Sequence, residues 1–174
     1  MKILIAGLGN PILGDDGVGW VIARKVAQIL NSSDQSITVE CFSLAGISLM
    51  EQMIGFDRVI LIDSFNSNQL IEGGITSFAL DSLADLTWGH SASAHDLSIK
   101  NALALGRKLI PNIPDDRNVF IVAIEARHVF EFGETLTPEI EAAVPMAIQE
   151  VFKLLGAITG RKLPIEGYWN PVVN

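Results

Sequence analysis

Three short stretches of this chain, Ile3–Ala6, Val59–Ile62 and Val119–Ile124, are apolar at every position rather than at every second one. A strand with one face in water alternates apolar and polar residues, so a run that is apolar throughout needs cover on both faces, as parallel strands beneath helices have. Ile37–Ser43 behaves differently: Ile37, Val39 and Cys41 alternate with Thr38 and Glu40, the pattern of an edge strand. Ile75–Leu80, after the Gly73-Gly74 pair, reads as one more short strand. Helical patterns lie between these runs. Val18, Val21, Ile22, Val26, Ile29 and Leu30 recur at spacings of three and four, with Arg24, Lys25 and Gln28 on the other face. Leu49–Ile54 predicts a short helix and Asp96–Leu109 a longer one. The last helix is signposted by Thr137 as N-cap, Pro138 in the first turn and Glu139 and Glu141 at the positive end. Ile140, Ala143, Val144, Ala147, Ile148, Val151 and Leu155 form its apolar stripe; Pro145 predicts a kink and Gly156 a stop. Strands alternating with helices imply an α/β fold, a three-layer α/β/α domain with a mostly parallel twisted sheet of about five strands.

The chain of 174 residues suits one domain, residues 1–174, with 160–174 as an irregular C-terminal tail around Pro164, Trp169 and Pro171. Hydrophobic residues make up 49% and charged residues 18%, the balance of a globular protein. No uninterrupted apolar run reaches the length of about 18 residues that crosses a bilayer, and the apolar stretch after Lys2 is too short for a signal peptide. A single cysteine, Cys41, excludes an internal disulfide and a cysteine metal cluster, which fits a reducing, cytoplasmic setting. The formal net charge of −8 repels phosphate backbones and disfavours a nucleic-acid partner.

In parallel sheets ligands bind beyond the carboxyl ends of the strands, where the strand order reverses. Chemistry-bearing residues gather at those ends. The first strand runs through Gly7-Leu8-Gly9-Asn10-Pro11 to Asp15 and Asp16; the strand Val59–Ile62 leads to Asp63; Val119–Ile124 runs into Glu125; and His95 precedes the helix expected at Asp96. Two carboxylates and an imidazole at one sheet edge are a ligand set for a divalent metal that leaves coordination positions open. Each residue also has a plainer reading. Asp15 and Asp16 suit helix caps, Asp63 suits a turn, His95 suits a surface or capping position, Glu125 suits a bond to a nearby amide, and Cys41 suits a packed apolar residue. His90 and His128 have no better positional claim than His95.

Other glycine-loop chemistries fit less well. The dinucleotide fingerprint that starts at Gly7-Leu8-Gly9 needs a third glycine where Ile12 stands. No Lys-Ser/Thr pair follows the loop, and neither a Gly-x-Ser-x-Gly elbow nor a His-Glu-x-x-His helix occurs.

The run GLGNPILGDDGVG, residues 7–19, resembles the N-terminal signature of the [NiFe]-hydrogenase maturation endopeptidases. Val59–Ile62 with Asp63 is similar to the strand of that family that ends in aspartate. Ser93-Ala94-His95-Asp96-Leu97 is similar to its histidine motif, Ile124-Glu125 to its strand-end glutamate, and residues 133–145 to the start of its C-terminal helix. The resemblance covers about residues 1 to 155 and implies an endopeptidase that removes the C-terminal extension of a hydrogenase large-subunit precursor after nickel insertion. It further implies that Asp16, Asp63 and His95 contact the metal and carry catalysis, that the nickel is supplied by the precursor, and that no organic cofactor is needed. Some members carry glutamate where this chain has Asp16, a carboxylate one methylene shorter, with Asp15 as the neighbouring alternative. Gly7-Leu8-Gly9-Asn10-Pro11 also resembles the opening of bacterial peptidyl-tRNA hydrolases, but their catalytic histidine soon after the first loop has no counterpart, since the first histidine here is His90. A non-enzymatic maturation chaperone that only inspects the precursor's metal would use the same residues.

Overall fold

The computed structural model describes residues 1–30, 34–67, 70–83 and 94–161, without the side chains of residues 94–98. Among the described residues five strands form one sheet: β1 (Ile3–Leu8), β2 (Ile37–Phe42), β3 (Arg58–Phe65), β4 (Ile75–Ala79) and β5 (Val119–Glu125), in the order β2-β1-β3-β5-β4. β1 pairs in parallel with both β2 and β3, and β3 with β5; β4 alone runs antiparallel, against β5. The apolar runs are therefore the inner strands, and the alternating Ile37–Phe42 is an edge strand, as its pattern predicts. β4 is reversed for a simple reason: residues 66–74 are too few for the crossover of a dozen or more residues that a parallel return requires.

Period two along each strand sorts the side chains onto two faces. Ile3, Ile5, Ile60, Ile62, Val122 and Ile124 pack beneath α1 (Val18–Leu30) and α4 (Pro138–Thr159). Leu4, Ala6, Val59, Leu61, Phe65, Ile121 and Ala123 pack beneath α2 (Gly46–Gln52) and α3 (Ala94–Leu109). The result is the three-layer arrangement, with helices on both faces of a mostly parallel sheet. α4 is long and apolar enough to span a membrane by length and composition, and its stripe from Ile140 to Leu155 lies in the core against the sheet.

Several boundaries differ from the sequence reading. α2 starts at Gly46 rather than Leu49 and ends before Ile54; α3 starts two residues before Asp96. α4 runs through Gly156 and stops at Gly160, which takes the left-handed conformation (φ 67°) that suits glycine just past a helix. Residues 162–174, most of the expected tail, lie outside the described residues.

β1 and α1 cross at glycines. A methyl group at Gly7 would overlap the carbonyl of Gly19 and the side chain of Ala23, and one at Gly19 would overlap the carbonyls of Leu8 and Ile62. The helix after the first loop therefore lies directly on β1 and β3, and that closeness sets where the loop emerges.

Candidate active site

The strand order reverses between β1 and β3: the chain leaves β1 for β2 on one side, while β3 leads to β5 on the other. The crevice at their carboxyl ends is where this architecture binds ligands, and the first loop crosses it. Leu8 ends β1, Gly9 turns at φ 114°, and Gly14–Gly17 forms a 3-10 turn that leads straight into α1.

The structure separates the two adjacent aspartates. Asp15 is wholly buried, and its carboxylate accepts hydrogen bonds from the Thr137 backbone N–H (2.7 Å) and the Thr137 hydroxyl (2.9 Å). Thr137 is the N-cap of α4, as expected, but its hydroxyl makes no capping bond; it turns to Asp15. Asp15 thus supplies negative charge to the positive end of α4 and ties the first loop to it across 122 positions of sequence. Asp15 is sealed from solvent there, which leaves the partly exposed Asp16 as the loop carboxylate at the crevice.

Asp16 is half-buried. One oxygen accepts from the Asn10 N–H (2.6 Å) and the other from the Ser64 hydroxyl (2.9 Å). The second bond crosses from the first loop to β3, so even the shorter side chain reaches the strand that carries Asp63. Each oxygen keeps a further lone pair for another donor or a cation. Ser64 and Asn10 were not singled out from the sequence; for Ser64 the available signal is a hydroxyl beside Asp63 at the polar end of an apolar run.

Asp63 lies inside β3, two residues before its end, rather than in a turn after it. It pairs with Ala123 of β5 and, by alternation with Leu61 and Phe65, belongs to the α2/α3 face, whereas Ser64 belongs to the α1/α4 face. His95 is the second residue of α3, within the helix instead of ahead of it, and α3 covers the same face as Asp63. The side chain of His95 lies outside the described residues, as does His90. The structure therefore joins Asp16 to the end of β3 by a hydrogen bond and sets Asp63 and the start of α3 on one face. Among the described residues no group of three or more His, Cys, Asp or Glu side chains is arranged to hold a metal ion.

Glu125 closes the far side of the crevice. It is 1% exposed and holds the Ser67 N–H (2.9 Å) and the Ser67 hydroxyl, so the strand-end glutamate does bind a nearby amide and fixes the loop after β3. His128, the other histidine of this edge, is exposed and bonds Glu131 (2.9 Å); that hydrogen bond, with the negative charge of Glu131, raises its pKa. Cys41 is a free, partly buried thiol packed against the α1/α4 core, and burial pushes its pKa up.

Removing Asp15 should cost stability more than chemistry. Asp15→Ala leaves the Thr137 N–H without its acceptor and is expected to destabilise the fold by about 3 kcal/mol. Asp15→Asn should cost far less, because an amide can accept from the N–H and donate to the hydroxyl. Urea-unfolding midpoints of the two variants check the ordering; equal losses would mean that the charge, not the bonds, holds the loop.

Comparison with known proteins agrees with the fold. Solved structures similar to this chain include the hydrogenase maturating endopeptidase HybD from E. coli, with TM-score 0.72, 23% identity, and coverage of 91% of this chain and 94% of that one. The [NiFe] hydrogenase maturation protease HybD from Thermococcus kodakarensis gives 0.68 and 24%, covering 88% and 99%. HycI from Thermococcus kodakarensis KOD1 gives 0.65 and 15%, covering 88% and 92%. No curated protein matches the sequence. The family model described as HycI, hydrogenase maturation protease, matches residues 43–154, a span that takes in Asp63 and His95 and begins after the first loop. With well over half of its length matched, the chain belongs to the hydrogenase maturation protease family.

Proposed function

We propose that this protein is the endopeptidase that removes the C-terminal extension of a [NiFe]-hydrogenase large-subunit precursor, and that it acts once nickel has been inserted. In this reading the nickel is part of the substrate, held by the precursor's cysteines, and Asp16, Asp63 and His95 recognise it. The observation that carries the reading is the 2.9 Å bond from Ser64 to Asp16, which draws the first-loop carboxylate to the end of the strand that bears Asp63 at the switch point of the sheet. Two carboxylates and an imidazole offer hard oxygen and borderline nitrogen donors, a set that complements a nickel ion partly bound by thiolates.

The roles divide by position. Asn10 and Ser64 hold the Asp16 carboxylate in place, so it meets an incoming cation with its orientation already set. Asp63 is anchored in a central strand, and His95 stands in the first turn of α3. The precursor's metal, as part of the substrate, would supply Lewis acidity to the scissile carbonyl. A carboxylate of the pair takes the proton of the attacking water as the C–O bond forms and returns it to the departing amine as the C–N bond breaks, so hydrolysis requires no nucleophilic side chain from this protein. The acidic surface, with net charge −8, suits a protein substrate better than a nucleic acid, and the reaction belongs in the cytoplasm, where the precursor would be made.

Intact-mass spectrometry tests the proposal. Nickel-loaded precursor incubated with the protein should lose one short C-terminal peptide, and nickel-free precursor should keep its full mass. Binding without any loss of mass would identify a non-enzymatic chaperone instead.

A further inference from the structure

We infer that Phe130 and Phe132, with Ile12 of the first loop, form the surface on which the precursor's own polypeptide docks, through an apolar, positively charged segment next to the bond that is cut; this rests on the processing function proposed above. Phe130 is 85% exposed and Phe132 87%, while Ile12 is 49% exposed. Single exposed apolar residues are ordinary, but two aromatic rings left in water within three residues, beside a further apolar side chain, mark an interaction surface.

The segment that carries them is fixed to the site. Gly133 donates its N–H to the Ile12 carbonyl (3.1 Å) and accepts from the Gly14 N–H (2.7 Å), a short parallel bridge between the two loops. Gly14 takes a positive φ of 53° and lies against the carbonyls of His128 and Glu131, so the loop meets the segment backbone to backbone. The bonds from Thr137 to Asp15 close the far end of the segment. The rings therefore sit on a frame built on residues 12–15, next in sequence to Asp16. A partner that covered them would lose little entropy in ordering the loop, and it would be delivered to the crevice.

Charge selects the occupant. Exposed Glu131 and Glu134 flank the rings, and Glu72 lies 4.0 Å from His128; His128, paired with Glu131 at 2.9 Å, and exposed Arg127 set two positive groups against these three carboxylates. A second copy of this chain, also at −8, would bring the same glutamates face to face. A positively charged peptide segment meets complementary charge instead.

The test uses the full-length protein carrying Phe130→Ser and Phe132→Ser together, with kinetics on nickel-loaded precursor and the Kd for precursor read alongside by titration. Because both rings are exposed, circular dichroism and melting should match wild type. KM and Kd should rise about tenfold while kcat is unchanged. A Glu131→Gln, Glu134→Gln variant should lower the sensitivity of KM to added salt. Unaltered KM and Kd overturn the docking surface while leaving the processing function standing. So does sedimentation that shows a dimer broken by the serine substitutions with KM and Kd unaltered. If wild-type protein binds precursor without cutting it, the processing reading falls, and the change in Kd still decides the docking surface.

Discussion

Nickel-loaded precursor treated with an Asp63→Asn or a His95→Ala variant is expected to remain at full length over times in which wild-type protein converts it completely. Asp63 lies in a strand whose other members from Val59 onward are buried, and asparagine has the same shape, so the strand and its pairing with Ala123 survive the change. What is lost is the negative charge and one of the two oxygens, replaced by an NH2 that can neither bind a cation nor take a proton from water. Loss of an acid–base or orienting group of this kind slows turnover by roughly 10²- to 10⁴-fold. His95→Ala removes the imidazole from the first turn of α3 while alanine keeps the helix, so a loss of similar size is expected without unfolding. The readout is the rate constant for precursor cleavage by mass spectrometry, with circular dichroism as the control on folding. Wild-type rates from either variant would remove that residue from the site.

The second large effect is on stability. Gly19→Ala looks conservative and favours helix in isolation, yet it should destabilise the protein by about 3 kcal/mol. The added methyl would fall on the carbonyls of Leu8 and Ile62, two backbone groups of adjacent central strands that cannot rotate away. α1 must then lift from the sheet, which opens the packing of Val18, Ile22 and Val26 against Ile3, Ile5, Ile60 and Ile62. For a chain of this size the melting temperature should fall by about 10 °C. Thermal unfolding followed at 222 nm measures it. A melt within a degree or so of wild type would show that α1 does not press on β1 as closely as the structure has it. The first loop joins β1 to α1, so residual activity in this variant also reports how far Asp16 has moved.

The layer architecture was legible in the sequence because burial on two faces forces apolar runs, and Ile3–Ala6, Val59–Ile62 and Val119–Ile124 admit few other readings. The edge position of β2 followed from the polar residues Thr38 and Glu40. Helix ends were read less well. Gly156 and Gly160 both offer a glycine stop, and only the apolar side chains packed beneath the last turns settle that α4 continues to Thr159. The start of α2 at Gly46 carries no capping side chain, so nothing local announces it.

The site was legible at the level of which strand ends carry charge, and less so at the level of which atom does what. Asp15 and Asp16 are the same residue type at neighbouring positions, and the group that distinguishes them, Thr137, lies at the start of the last helix. No local pattern could connect the two. Ser64 escaped notice because a serine at a strand end has many ordinary uses, and its bond to Asp16 arises only when β1 and β3 become neighbours. Asp63 reads from the sequence as the polar residue just past a strand, open to a turn as well as a site, because the apolar run stops at Ile62. The strand continues to Phe65 because β5 supplies partners for Asp63, Ser64 and Phe65 in register. Tertiary pairing extended what local hydrophobicity had ended.

The proposed function requires carboxylate and imidazole groups of this protein to engage nickel already held by the precursor. Nickel-edge X-ray absorption of the nickel-loaded precursor, taken alone and again after mixing with wild-type protein and freezing before cleavage, tests it directly. New oxygen and nitrogen neighbours of nickel should appear beside the precursor's sulfur ligands, with the imidazole contribution missing when His95→Ala protein is used. Identical spectra with and without the protein, in a sample shown to be bound, would contradict it.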